Sequence, residues 1–215
     1  MTYVSWAALY EGATDQTYFE QLIPRVMEDI IMLHGTRHST IPPTPAVRLQ
    51  RRTVEKVAQE ACAARDAFHL VFIHADTGGR NLEANLEERS FGYCEAMHTL
   101  CCWRPVRCIT ISPRHETEAW ILADPTAVTA ALGYLGPSHS IGLPGNADQA
   151  ERLGDPKTVL AAAVRQVRGR RRPIDVKQIF PAIAQRQSLA SLRQSQSFAA
   201  FEAGLLAALA DLGCI

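Results

Sequence analysis

The sequence predicts an α/β fold in which a mostly parallel central sheet is flanked by helices. Short apolar runs alternate with longer segments whose apolar residues recur at the helical spacing, which is the pattern of a parallel sheet with crossover helices. The clearest run, Leu70 to His74, has the almost continuous apolar character of a strand that is covered on both faces. Asp76 and the pair Gly78–Gly79 follow it directly and are typical of a strand end near a ligand.

The elements before this central strand begin with a strand over Val4 to Tyr10, which ends at Glu11. A helix follows, and we expect Thr14 or Asp15 to cap it. We expect Pro24 to kink this helix or to lie near its first turn. A loop, a short strand and a second helix are then predicted over 34–45, 46–50 and 53–66.

After the central strand, the apolar spacing predicts a helix over 81–102 and a strand over 106–111. Strand signals fade from Asp124 onward, and Asp124 itself is expected to cap the next helix. Helices are predicted over 126–133, 156–167 and 198–212. We therefore predict an α/β domain over 1–125 and a helical C-terminal region over 126–215 packed on it.

Composition narrows the class of protein. With 215 residues, of which 47% are hydrophobic, the chain can bury a full core. Its 22 basic and 22 acidic residues give a net charge of zero, so any binding to nucleic acid must come from local patches. No segment approaches the roughly 18 apolar residues of a membrane span, and no signal segment is apparent. The six cysteines show no zinc spacing or CxxC pair, so we expect them to be reduced in a cytoplasmic protein.

Carboxylates stand at the ends of three predicted strands: Glu11, Asp76, and the pair Glu116 and Glu118. Ligand sites of open α/β sheets lie at the carboxyl ends of the strands. If the chain around Glu116 and Glu118 is extended, both side chains point the same way. Oxygen ligands of this kind suit Mg²⁺ or Mn²⁺, which polarises a phosphodiester and helps to generate the attacking hydroxide.

Each acid also has a structural explanation. Glu11 could stabilise the N-terminus of the following helix, and Asp76 could form a turn. The position of each directly after a strand favours the metal role. Glu116 and Glu118 could equally be the solvated start of a helix, and of the two we prefer Glu118 as a ligand because it directly precedes an apolar run.

Basic side chains near the acids are candidates for contact with substrate. Arg80 and Arg114 each lie within a few residues of a predicted metal ligand, where a guanidinium could hold a phosphate. His115, and less so His74, could carry a proton, although a lone histidine is more often structural. A separate basic cluster could contact phosphates or could be a solvated loop; its members are Arg165, Arg168, Arg170, Arg171 and Arg172.

The motifs LYEGATDQTYFEQLIPR, HADTGGR, RHETEAWILADP and LGDPKTVL together resemble a family of small stand-alone Toprim-like proteins. This family is related to the catalytic domain of topoisomerases, primases and overcoming-lysogenisation-defect nucleases. The segment SLRQSQSFAAFEAGL also matches, so the resemblance covers most of the chain. It implies a Toprim-like, Rossmann-like sheet with metal held by Glu11 and by an Asp-x-Asp that begins at Asp76. Gly78 replaces the second aspartate, and Glu118 or Glu116 could supply that ligand instead.

The resemblance implies a divalent-metal nuclease acting on DNA or RNA, the effector of an anti-phage defence system with an ATPase as partner. In that hypothesis Glu11, Asp76 and Glu118 bind the metal, and Arg80 or Arg114 steadies the phosphate. The alternative is a catalytically silent regulatory or binding subunit of an ATPase complex, which Gly78 and the zero net charge favour. A third alternative is a phosphatase or nucleotidyl hydrolase that uses the same acids on a small substrate.

Overall fold

The computed structural model describes residues 2–50, 52–78, 87–169 and 176–215. Within these ranges a four-stranded sheet forms the centre, and all its neighbouring strands run parallel. The strands of this sheet are β2 (Trp6–Leu9), β4 (Val47–Leu49), β5 (Leu70–His74) and β6 (Cys108–Ile111), in the order β4-β2-β5-β6. Two short strands, β1 (Thr2–Tyr3) and β3 (Ser39–Thr40), pair separately. The predicted α/β class with a parallel sheet is confirmed.

Helices cover both faces of the sheet. In chain order they are α1 (Ala13–His34), α2 (Val54–Ala63), α3 (Gly92–Cys101), α4 (Thr117–Leu122), α5 (Pro125–Leu132), α6 (Ala147–Glu151), α7 (Pro156–Arg168), α8 (Phe180–Arg186), α9 (Leu189–Leu192) and α10 (Gln196–Asp211). Single turns of 3₁₀-helix lie at Arg65–Ala67, Pro105–Arg107, Ser138–Ile141 and Val176–Ile179, and a π-helical turn at Glu87–Phe91 leads into α3. No helix in the described ranges is long and apolar enough to cross a bilayer.

Side-chain alternation along the strands divides the core into two layers. Trp6 and Phe72 point to the face covered by α1, α4 and the C-terminal helices, whereas Leu9 and Ile73 point to the face covered by α2 and α3. All five residues of β5 are buried, as expected for a central strand covered on both faces. The helices after residue 125 share the larger of these two apolar layers with the sheet. The division of the chain at residue 125 stays a prediction.

The register of β2 and β5 places the ends of the two strands side by side. Leu9 is paired with Ile73, so the residues that follow the two strands emerge at the same edge of the sheet. His74, the last residue of β5, is paired with Ile111, the last residue of β6. The carboxyl ends of three neighbouring strands therefore meet at this edge, which is where ligand sites lie in such sheets.

The predicted start of the first helix is wrong. Helix α1 begins at Ala13 with Gly12 as its N-cap, and no side chain caps it. Asp15 is drawn away from a capping role because its carboxylate accepts a hydrogen bond from Thr117 in α4. Pro24 lies well inside α1, which continues through it to His34.

The expectation of reduced cysteines is wrong for four of the six. A disulfide between Cys62 and Cys101 joins α2 to α3, and one between Cys94 and Cys108 joins α3 to β6, with Cα–Cα distances of 5.9 and 5.7 Å. Chain spacing could not reveal these pairs, because each depends on how α3 packs against its neighbours. The remaining two are free: Cys102 is exposed and Cys214 is buried.

Candidate metal centre

Glu11 and Asp76, predicted from separate strand ends, are in direct contact. The backbone N–H of Asp76 donates a hydrogen bond to Glu11 Oε2 at 2.8 Å. Both side chains are partly buried. The structure thus brings together two acids that lie 65 positions apart in the chain, as the strand register requires.

His74 orients the Asp76 carboxylate. The Glu11 backbone N–H donates to His74 Nδ1 at 3.3 Å, so that nitrogen is an acceptor and the ring proton lies on Nε2. Nε2 is 3.1 Å from Asp76 Oδ1 and donates to it. The imidazole is fully buried. In this arrangement Nε2 is used for a hydrogen bond, so His74 supports a ligand rather than acting as one.

Asp15 is the acid that sequence reasoning missed. A carboxylate oxygen of Asp15, one of Asp76 and a ring nitrogen of His74 lie within 4.8 Å of one another, and the two carboxylates, with His74 supporting Asp76, could hold a metal ion. The hydroxyl of Thr117, which is fully buried, donates to Asp15 Oδ1 at 2.7 Å and lies 3.4 Å from Asp76 Oδ1. Burial raises the pKa of Asp15, partly offset by His74 and the Thr117 hydrogen bond, while the charges of Asp76 and Glu11 add to the rise. The one available signal was its place four residues after Glu11, in the first turn of the helix that follows β2.

The sequence left an extended chain and a helix start equally open for Glu116 and Glu118, and the structure places both at the start of α4. Glu116 is the N-cap residue and Glu118 lies in the first helical turn. Glu116 Oε2 is buried without a hydrogen-bond partner in the described part of the chain. Burial raises the pKa of Glu116, Lys157 opposes the rise, and the Asp76 charge adds to it. An unpaired carboxylate oxygen beside other acids is a suitable ligand for a cation.

Glu118 holds its proton to higher pH than an ordinary glutamate. Burial raises its pKa to about 7; a backbone hydrogen bond and Lys157 oppose the rise, and the charges of Glu116 and Asp76 contribute to it. A carboxyl group that is half protonated near neutral pH is a weak metal ligand, because the proton competes with the metal ion for the same oxygens.

The raised pKa predicts how stability depends on pH. The unfolded chain loses the Glu118 proton near the ordinary value of 4.5, whereas the folded protein keeps it until about 7. Folding is therefore favoured by this group at low pH, and that contribution is lost as the pH rises toward 7. In the presence of a chelator, Glu118→Gln should be more stable than the parent at about pH 8, with the difference shrinking toward about pH 5. Thermal unfolding of the two proteins across this pH range measures the difference in stability. Glu28→Gln, the same change at an exposed position, is the control. A difference between Glu118→Gln and the parent that does not vary with pH would contradict the raised pKa of Glu118.

Arg89 is a second residue that sequence reasoning missed. It belongs to the π-helical turn before α3, and its guanidinium donates to Glu11 Oε1 and to the Asp76 backbone carbonyl, both at 2.7 Å. Arg89 lies 13 positions after Asp76 and 78 after Glu11, and no local pattern in the sequence links it to either acid.

The loop after β6 is fixed against the loop after β5. The His115 N–H donates to Thr77 Oγ1 at 2.7 Å, and the Gly78 N–H donates to the His115 carbonyl at 2.8 Å. His115 has a φ of 67°, in the left-handed region that non-glycine residues rarely adopt. Such strain is concentrated at functional sites, which favours a role for His115. Arg114, next to it, is exposed.

The other predicted basic residues are only partly described. Arg80, Gly79 and three members of the basic cluster, Arg170, Arg171 and Arg172, lie outside the described residues. Arg165 and Arg168 lie in the last turn of α7. At the opposite end of α7, Lys157 lies two residues after the N-cap residue Asp155, and its charge opposes the rise in the pKa values of Glu116 and Glu118.

The donors collected here fit a hard divalent cation. Carboxylates of Glu11, Asp15 and Asp76 meet near the carboxyl ends of β2 and β5. Glu116, whose pKa the Asp76 charge helps to raise, has a buried carboxylate oxygen without a partner among the described residues. Oxygen donors of this type suit Mg²⁺ or Mn²⁺ better than softer metals. The disulfide-bonded cysteines lie on the α2–α3 side and are not part of the site.

Comparison with known proteins gives one family. A family model described as "Domain of unknown function (DUF4276)" matches residues 10–206, a range that contains every carboxylate of the candidate metal centre. No curated protein and no solved structure matches the chain. Because the matched range covers most of the 215 residues, the chain belongs to the DUF4276 family.

Proposed function

We propose that this protein is a divalent-metal-dependent nuclease that hydrolyses phosphodiester bonds of DNA or RNA. The observation that carries the proposal is the meeting of Glu11, Asp15 and Asp76 at one edge of the sheet. Carboxylates gathered at the ends of parallel strands are suited to hold Mg²⁺ or Mn²⁺ against phosphate oxygens. The unpaired oxygen of Glu116 adds a further donor of the same kind.

In this proposal Asp76 and Asp15 are the principal ligands, with Glu11 and Glu116 as further oxygen donors. When bound, the ion would supply Lewis-acid stabilisation of the phosphate and activation of the attacking water. His74 holds Asp76 in position through the Nε2–H hydrogen bond to Oδ1. Thr117 does the same for Asp15 through its hydroxyl.

Proton transfer and phosphate binding fall to residues around the acids. Glu118, with a pKa of about 7, can hold a proton on its carboxyl group at neutral pH and give it up to a leaving oxygen. His115 lies in the adjacent loop and is a second candidate for this role. Lys157, whose charge acts on Glu116, and Arg114, two residues before Glu116 in the chain, are exposed cations that suit contact with the substrate backbone.

We extend the proposal to a Toprim-like identity and to a role as an anti-phage effector that works with an ATPase. Both rest on the motif resemblance in the sequence. The parallel sheet with an acid after each of two adjacent strands is compatible with a Toprim-like arrangement.

Cleavage assays on duplex DNA, single-stranded DNA and RNA test the proposal. Each substrate is incubated with Mg²⁺, with Mn²⁺, and with a chelator. We expect cleavage of at least one substrate with one of the ions and none with the chelator. Intact substrates in all samples, with protein shown to be folded by circular dichroism, would overturn the assignment.

Two observations favour a second function, a silent subunit that keeps the fold and regulates an ATPase. Arg89 already provides a positive charge to Glu11, and Gly78 stands where the Toprim pattern has its second aspartate. This function predicts no cleavage with either ion, together with co-purification of an ATPase and a change in that partner's ATP turnover.

A further inference from the structure

The guanidinium of Arg89 closes a ring of hydrogen bonds around the two central acids. Nη2 donates to Glu11 Oε1 and Nη1 donates to the Asp76 carbonyl, both at 2.7 Å. The ring is completed by the Asp76 N–H, which donates to Glu11 Oε2 at 2.8 Å. Both oxygens of the Glu11 carboxylate are therefore engaged, and one of them is bound to a cation of the protein itself.

This cation opposes a metal ion at the same carboxylate. Arginine keeps its charge at every accessible pH, so the repulsion cannot be relieved by loss of a proton. A divalent ion that takes Glu11 Oε1 as a ligand must replace the hydrogen bond from Nη2. An ion held only by Asp15 and Asp76 would still lie close enough to the guanidinium for the two charges to repel.

Phosphate is the ligand that can draw Arg89 away from Glu11. The planar guanidinium matches phosphate oxygens as well as it matches a carboxylate. The Arg89 side chain is 33% exposed, so it can be reached from solvent at the mouth of the site. It stands on a π-helical turn, an irregularity that often marks functional sites in helices.

We infer that Arg89 and a divalent cation compete for Glu11, and that a substrate phosphodiester ends this competition by taking over the guanidinium. The inference rests on the proposed function and adds a substrate-binding residue to it. Its consequence is positive coupling between the binding of the metal ion and the binding of the phosphodiester. Since linkage is reciprocal, phosphodiester tightens metal binding by the same factor by which metal tightens phosphodiester binding.

Titration with Mn²⁺ in the absence and presence of dimethyl phosphate tests the inference. This probe is a phosphodiester monoanion that is slow to hydrolyse, so binding is measured apart from catalysis. In the parent protein, saturating dimethyl phosphate should tighten Mn²⁺ binding by about tenfold. In Arg89→Ala, Mn²⁺ should bind about tenfold more tightly than in the parent without the probe, and the probe should have little further effect.

Two further variants separate this effect from a general change in charge or loss of fold. Arg152→Ala removes an equal charge from an exposed pair with Asp148 and should leave the Mn²⁺ affinity unchanged. Arg89→Lys keeps the charge without the planar fork, so Mn²⁺ should bind it as weakly as the parent while dimethyl phosphate tightens binding less. If Arg89→Ala is unstable, the Arg89→Lys result decides the question by itself.

Failure of the inference and failure of the proposed function give different results. If the protein cleaves nucleic acid but Mn²⁺ binding is no tighter in Arg89→Ala, or the coupling to dimethyl phosphate persists there, Arg89 has no such role. If the predicted coupling is found but no nucleic acid is cleaved, the binding inference stands and the nuclease assignment is wrong. Absence of Mn²⁺ binding in both the parent and Arg89→Ala would overturn both.

Discussion

Replacing Asp76 with asparagine is expected to slow metal-dependent phosphodiester cleavage by at least about 100-fold. Metal catalysis contributes several kcal/mol to transition-state stabilisation, and each 1.36 kcal/mol is a factor of about ten in rate. The Asp76 carboxylate contacts His74 and lies beside Thr117, and the Asp76 backbone N–H donates a hydrogen bond to Glu11. Removal of its charge therefore weakens the ligand set at its centre.

The amide keeps the shape of the carboxylate and can still accept the hydrogen bond from His74 Nε2. Stability should consequently change much less than activity. The matched control is Asp148→Asn, the same chemical change at an exposed i,i+4 ion pair with Arg152; there we expect parental activity. Initial rates with saturating Mg²⁺ or Mn²⁺ provide the measurement. An active Asp76→Asn protein that cleaves at the parental rate would remove Asp76 from the mechanism.

Replacing Glu151 with alanine is expected to destabilise the protein by about 3 kcal/mol. Glu151 is only 6% exposed. Its carboxylate accepts hydrogen bonds from the hydroxyls of Ser195 and Ser197 and from the N–H groups of Gln196 and Ser197 at the start of α10. Alanine leaves these buried donors without a partner, and each such group costs roughly 1–3 kcal/mol. For a chain of this size the unfolding temperature should fall by roughly 6–12 °C.

Loss of the Glu151 hydrogen bonds should also disturb the candidate metal centre. Ser197 Oγ, which donates to Glu151, accepts a hydrogen bond from Trp120 Nε1 at 2.7 Å. Trp120 lies in α4, the helix that carries Thr117 and Glu118. Glu28→Ala, at an exposed position on α1, is the control and should change the stability by less than about 0.5 kcal/mol. A Glu151→Ala protein that unfolds at the parental temperature would show that the hydrogen bonds of Glu151 contribute nothing to the stability of the fold.

The sequence was sufficient for the parts of the fold that local pattern determines. The run Leu70 to His74 coincides with β5, because a continuous apolar segment between breakers has little choice of structure. The capping role predicted for Asp124 is confirmed by its hydrogen bonds to the N–H groups of Thr126 and Ala127. Glu11 and Asp76 could be placed at one edge because parallel strands align their carboxyl ends.

The remainder of the candidate site depends on packing between distant parts of the chain. Asp15 had the pattern of a helix cap, and only the approach of Thr117, 102 residues later, gives it another role. Arg89 reaches Glu11 from 78 residues away, through a turn whose π-helical form has no sequence signature. For Glu118, the same residues are compatible with an extended chain or a helix start, and tertiary contacts of α4 decide between them.

The most direct test of the central claim is the position of Mn²⁺ in an anomalous difference map from soaked crystals. We predict a peak between the carboxylates of Asp15 and Asp76, with oxygens of both within about 2.5 Å. The peak should be absent from crystals of Asp76→Asn. A peak bound by other side chains, or no peak when these carboxylates are placed as described here, would contradict a metal centre at this edge of the sheet.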